Sequence, residues 1–359
     1  MNGEDIRNRH VHTQRLAGPP FDAPEAMVRA LVGVQAQDYA GARWSVGQRT
    51  ADCTDADVAR AFDEGRILRT HVLRPTWHFV TPDDIRWLLE LTAPRVHALN
   101  AYSYRTFALD DALFARSQAL FAASLGGGRQ RTRPELAAML AGVGIVADGL
   151  RLGYILMRAE LDGLLCSGAM RGKQQTYALL AERAPGARSL TREEALAELA
   201  RRFFAGHGPA TLHEFVRWSG LAVADARRGL ELVKEALVCE RVAGHTLWFA
   251  AAPPPAPPAA LTAYLLPEFD ECVLTYKEVG FPDLPWGLAA DAWRDTFSRP
   301  IIIDGQRAGT WRRTIARSAV TVEANLFAAL DAAQVRAIES AVARYGTFLN
   351  LPATLALTP

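Results

Sequence analysis

A helix-start signal, two apolar helices and a basic hairpin follow one another along the chain, and they do so more than once. That recurrence narrows the fold more than any other feature. In Thr132-Arg133-Pro134-Glu135, a threonine cap is followed by proline in the first turn and a glutamate three positions on. A helix continues through residues 136–140. A second, over 150–162, is apolar at Leu152, Ile155, Leu156 and Ala159. Leu164-Leu165-Cys166-Ser167-Gly168 is a short strand into a turn, and residues 173–180 return. Helix, helix and basic hairpin are the outline of a winged helix.

The outline returns after Thr191-Arg192-Glu193-Glu194, which starts a helix running to Phe204. His207-Gly208-Pro209-Ala210-Thr211 is a turn, helices follow over 212–219 and 222–235, and strands 238–242 and 246–250 flank Gly244-His245. A looser copy spans 24–80, with helices over 25–35, 42–49 and 55–64 and strands over 67–73 and 76–80, turning at Pro75. The hexapeptide Pro253-Pro254-Pro255-Ala256-Pro257-Pro258 is a stiff linker. Beyond it, 263–267 is an apolar strand, 301–305 and 308–313 form a β-hairpin, and 332–345 is a helix. The expected class is α+β, mainly helical. Tandem winged helices (1–125 with flanking helices, 129–185, 189–252) and a linker over 253–260 lead to a C-terminal α+β domain over 261–359.

Charge excludes a wholesale polyanion binder. Lys+Arg number 40 against Asp+Glu 39, so any nucleic-acid surface must be a local patch. Three windows lack acidic residues, and each falls on an expected strand or hairpin. Residues 65–82 carry Arg66, Arg69, His71, Arg74 and His78; 163–181 carry Arg171 and Lys173; 305–322 carry Arg307, Arg312, Arg313 and Arg317. They read either as a segmented phosphate-binding surface or as ordinary solvated faces. Cys53, Cys166, Cys239 and Cys272 form no paired metal or disulfide spacing, which suits reduced thiols in the cytoplasm. The polar residues 1–12 hold no apolar signal region, and no apolar run is long enough for a membrane span.

No P-loop, GxGxxG after a strand, HExxH or GxSxG is present, and no metal or cofactor is expected. His71 and His78 lack further ligands at suitable spacing, so a structural or DNA-facing role is expected of them. One polar cluster stands out. In Leu31-Val32-Gly33-Val34-Gln35-Ala36-Gln37-Asp38-Tyr39, two glutamines fall at the end of an apolar helix. They converge if the helix ends between them, and supply donors and acceptors without charge. Spacing alone equally allows a capping or core role.

Several segments together resemble one family. They are Gln35-Ala36-Gln37, Arg69-Thr70-His71-Val72-Leu73-Arg74-Pro75-Thr76-Trp77-His78, Arg171-Gly172-Lys173, Leu265-Leu266-Pro267-Glu268-Phe269-Asp270 and Gly309-Thr310-Trp311-Arg312-Arg313. The pattern resembles the tandem winged-helix DNA glycosylases of the AlkZ/YcaQ type, from about Gln14 to Phe348. The resemblance implies winged helices around a DNA duplex, a catalytic centre at Gln35 and Gln37, and a hairpin near the lesion, for which 301–313 is the candidate. Arg69, His71, Arg74, His78, Arg171, Lys173, Arg312 and Arg313 are the expected DNA-binding residues. Double-stranded DNA carrying alkylated or crosslinked purines is the expected partner, met by a monomer in general repair or in genotoxin self-resistance. A non-enzymatic winged-helix regulator is the alternative. It would ordinarily need a dimer and symmetric half-sites.

Overall fold

The computed structural model describes residues 1–252, 261–276 and 299–358; the proline-rich linker over 253–260 lies outside them. The middle helix–helix–hairpin unit forms as its sequence dictates. Thr132 caps the helix Arg133–Gly142 in a reciprocal box, accepting from Glu135 N at 3.4 Å while its own N–H donates to Glu135 Oε2 at 2.7 Å. Helix Gly149–Leu161 buries Leu152, Ile155, Leu156 and Ala159, and with them Glu160. Strands Leu165–Ser167 and Thr176–Leu179 pair antiparallel, with Arg131–Thr132 on the far side of the second.

The next unit places three helices, Arg192–Gly206, Leu212–Ser219 and Val223–Val233, before the hairpin Leu237–Val242 and His245–Ala250. Its tight turn depends on Gly220. There φ is 70°, and a Cβ would stand 2.3 Å from the carbonyl oxygen of Leu73, so the close approach of this turn to the first hairpin requires glycine.

The first unit differs from its expectation at one place. The helix read over 25–35 spans only Pro24–Ala30. Val32 takes a left-handed φ of 70°, and Val34–Gln35 becomes an edge strand beside Trp77–Val80, with Leu68–His71 on its other side. Gln35 therefore lies opposite His78 in the sheet, not at a helix end. The reason is local. Gly33 is a poor helix residue and the β-branched Val34 suits an extended chain, although the apolar run looks helical by periodicity alone. Helices Tyr39–Gly47 and Asp55–Asp63 complete the unit.

The two faces of this small sheet enter different cores. Val34, Phe79, Trp44 and Phe62 pack with Leu265, Ile301, Trp311 and Tyr345 of the C-terminal region. Val32, Leu68, Val72 and Val80 pack with Trp87, Phe203, Phe215 and Trp218. Strand alternation thus wedges the first unit between the C-terminal sheet and the third unit. That C-terminal sheet runs Ala353–Thr358, Val320–Leu326, Gln306–Ile315, Arg299–Ile303, Ala263–Leu265, parallel only between the first two. The expected hairpin is its centre, and helix Ala332–Leu349 covers it. Among the described residues, no helix is long and apolar enough to cross a membrane.

Candidate active site

Gln35 and Gln37 occupy different environments. Gln35 is buried; Gln37, two residues on, is exposed. The Gln35 side-chain oxygen accepts the backbone N–H of Gln37 at 3.0 Å. Ala36 between them donates to Trp77 O at 2.7 Å and accepts from Arg69 Nε at 3.0 Å. The loop is fixed by its neighbours, and the free end of the pair is the Gln37 carboxamide.

Behind Gln35 stands a sealed polar cluster. Glu271 is wholly buried, in the short helix Glu271–Thr275 that follows the first C-terminal strand. One carboxylate oxygen accepts Gln35 N at 2.6 Å and the other accepts Trp218 Nε1 at 2.6 Å. Three regions distant in sequence thus meet on one side chain. Burial by itself would raise the Glu271 pKa, but neighbouring His207, Arg74 and His78 outweigh it and hold the group at about 2. His78 is pushed the other way, to about 3, by burial first and by the Arg74 cation second. Its tautomer follows from its partners. Arg74 Nη2, which can only donate, lies 3.2 Å from Nε2, so the proton is on Nδ1, which donates to Thr76 O at 2.9 Å.

In front of Gln37 opens a cleft of about 240 Å³, lined by Gln37, His71, Trp77 and Tyr177 together with Arg133, Leu150, Tyr154 and Met157 of the middle unit. His71 and Trp77 are cross-strand neighbours with rings 4.4 Å apart. Both reach one buried carboxylate: His71 Nδ1 hydrogen-bonds Glu160 Oε2, and Trp77 Nε1 donates to Oε1 at 3.4 Å. The Arg69 guanidinium lies 4.4 Å over the Trp77 ring and also bonds Gln175. Burial lowers the Arg69 pKa. Among the described residues, no three His, Cys, Asp or Glu side chains are grouped to hold a metal ion.

The sequence-expected residues divide into three places. Gln35, Gln37, Arg69, His71, Arg74 and His78 converge here, but Arg69, His71 and His78 are 5%, 4% and 0% exposed. These three side chains are turned into the fold, where the Arg69 guanidinium, both ring nitrogens of His78 and the Nδ1 of His71 meet protein partners. Arg171 and Lys173 are exposed on the middle unit's turn, where Arg171 reaches Glu135 at 2.8 Å and Gln130 O at 2.9 Å. On the C-terminal hairpin Arg312 is exposed, while Arg313 donates to the Tyr345 hydroxyl at 2.7 Å and lies 4.0 Å from Asp38. Sequence reasoning missed Glu160, Glu271, Trp77, Tyr177 and Trp218. A faint signal existed for Glu160, a carboxylate set four residues after Leu156 on an otherwise apolar stripe.

Fold and site together define a protein of repeated helix–helix–hairpin units that converge on a cleft presenting an uncharged carboxamide. A family model described as DNA glycosylase AlkZ-like matches residues 28–348, and the chain belongs to that family. An interstrand DNA cross-link repair glycosylase of Streptomyces sahachiroi is 28% identical over 217 residues, 58% of this chain and 58% of that protein. The match thus spans little more than half of that relative's length. The fold is that of the solved Streptomyces sahachiroi DNA glycosylase AlkZ, with a TM-score of 0.78 at 21% identity, covering 99% of this chain and 100% of that one.

Proposed function

We propose that this protein is a monofunctional DNA glycosylase that hydrolyses the N-glycosidic bond of bulky or crosslinking N-alkylated purines, such as N7-alkylguanine and N3-alkyladenine. The observation that carries the reading is the exposed Gln37 carboxamide at the lip of the aromatic cleft, its backbone pinned by buried Gln35.

The chemistry suits so mild a site. An N7- or N3-alkylated purine is cationic, so when its bond to C1′ breaks the electron pair neutralises the departing base and no general acid is needed. The sugar becomes oxocarbenium-like, and a water adds to C1′ and releases a proton. Gln37 orients that water through its carbonyl oxygen, whose dipole also faces the developing cation favourably. Gln35 acts through Gln37 and is a positioning residue. A shallow cleft also suits a crosslinked nucleotide, which cannot be swung freely out of the helix. The three helix–helix–hairpin units serve as winged helices around the duplex, within a monomer acting in the cytoplasm. Arg171, Lys173, Arg312 and Arg313 supply phosphate contacts from two sides.

Release of N7-methylguanine from duplex DNA tests this. The wild type is expected to release the base. Gln37→Ala is expected to fall by at least about a hundredfold with DNA binding retained. Gln35→Ala is expected to fall as well, through a displaced loop. Absence of release by the wild type, or an unimpaired Gln37→Ala, would contradict the proposal.

A further inference from the structure

We infer that His71, backed by Glu160, is the proton acceptor of this cleft and a catalytic residue beyond the two glutamines. The inference rests on the glycosylase reading and adds a general base to it.

Four observations converge. First, Glu160 is 0% exposed on the apolar face of helix Gly149–Leu161, and His71 is its one ion-pair partner among the described residues. Burying a carboxylate costs several kcal/mol unless it is well partnered, and a leucine or glutamine would pack there without that penalty. Second, Glu160 can only accept, so its bond to Nδ1 puts the proton there and leaves the Nε2 lone pair free. Third, Nε2 has no hydrogen-bond partner among the described residues and is not sealed from solvent, while His71 lines the same cleft as Gln37. Fourth, the Trp77 ring 4.4 Å away and its indole N–H on Glu160 hold imidazole and carboxylate in register. A base oriented by a third group is the arrangement that activates a nucleophile.

Other histidines nearby are unsuited. Both ring nitrogens of His78 are engaged, by Arg74 and by Thr76 O, and the ring is wholly enclosed. The groups facing His71 are Glu160 from helix Gly149–Leu161, Arg133 across the cleft, Tyr177 from strand Thr176–Leu179, Arg69 on its own strand, and Arg74 with His78 behind. Glu160 is the one in hydrogen-bond contact.

In the step, the water oxygen bonds C1′ as the C1′–N bond breaks with its electron pair passing to the purine. One water proton moves to His71 Nε2, and the Nδ1 proton stays shared with Glu160. The imidazolium then returns its extra proton to solvent.

The test is single-turnover release of N7-methylguanine as a function of pH, for wild type, His71→Gln and Glu160→Gln. The wild-type rate is expected to fall on the acid side as His71 protonates. His71→Gln is expected to lose at least about a hundredfold and to lose that limb. Glu160→Gln should slow release and alter the shape of the pH–rate profile, with DNA affinity near wild type. If either variant fails to fold, an NMR titration of the wild-type ring decides: a titrating imidazole with the Nδ1 proton supports the inference, and a non-titrating ring or the opposite tautomer overturns it. An active wild type with an unchanged His71→Gln profile sinks the dyad alone. A wild type that releases no base at any pH sinks the glycosylase reading and the dyad with it.

Discussion

Two buried carboxylates flank the Gln35–Gln37 loop, and they are used in opposite ways. Glu271 is closed in on every side. Its oxygens go to Gln35 N and Trp218 Nε1, and the histidines around it are enclosed as well. Glu160 is equally buried, yet it holds a histidine whose second nitrogen opens on the cleft. The first arrangement locks the first unit, the third unit and the C-terminal region together. The second keeps an oriented imidazole in the same cleft as Gln37. A buried charge can thus serve assembly or chemistry, and the distinction lies in whether its partner has an unused polar atom facing solvent.

That contrast can be broken by experiment. The largest effect belongs to Glu271→Ala. It strips two buried donors of their acceptor and should destabilise the fold by about 3–5 kcal/mol. Glu160→Gln should cost far less stability while changing the pH–rate profile. Denaturant unfolding of the two proteins measures the gap, and equal losses would erase the distinction.

Acid should act on the sealed side next. His10 and His78 are held neutral by burial, each at about 3, well below the ordinary 6.5. The unfolded chain therefore binds more protons than the folded one below that value, and stability drops as pH falls from about 6.5 toward 3. Glu271, held at about 2 against an ordinary 4.5, adds a further loss below 4.5 as pH falls through its folded value. Unfolding midpoints across pH should slope accordingly, and His78→Gln should flatten the upper part of the slope. A flat profile from pH 7 to 4 would contradict the sealed cluster.

Gly220→Ala comes third. It forces an L side chain into the left-handed region against Leu73 O and should cost about 1–3 kcal/mol, read by thermal unfolding. A neutral result would show that the turn does not bear on the first hairpin. The smallest change is Arg171→Ala. An exposed pair with Glu135 adds little to the fold, so the unfolding midpoint should stay put. The salt dependence of DNA binding should lose about one unit of slope. An unchanged slope would remove Arg171 from the DNA surface.

The pattern of what was legible is itself physical. Threonine–glutamate boxes at Thr132 and Thr191, the two later hairpins and the final helix are local features, and each appears where residue chemistry points. The helix over 25–35 failed because an apolar run cannot tell strand from helix by periodicity, and Val32 turns the chain left-handed inside it. The two glutamines read as carboxamides converging at a helix end; Gln35 lies instead at a strand end and is buried, Gln37 is exposed, and the Gln35 side chain meets only the backbone N–H of Gln37. The burial of Arg69, His71 and His78 was not legible. An acid-free window looks like a phosphate surface because the balancing carboxylates are remote. Glu160 is 89 residues from His71, and Glu271 is 236 from Gln35. Strand Ala353–Thr358 escaped notice because its parallel pairing with Val320–Leu326 is set through the intervening helix.

The most direct test of the whole account is single-turnover unhooking of a duplex bearing an N7-guanine nitrogen-mustard crosslink, by wild type and Gln37→Ala, resolved on a denaturing gel. The account predicts separated strands with the wild type, and at least about a hundredfold slower separation with Gln37→Ala at equal DNA occupancy. A crosslink that survives the wild type, or one that Gln37→Ala opens at the wild-type rate, would contradict it.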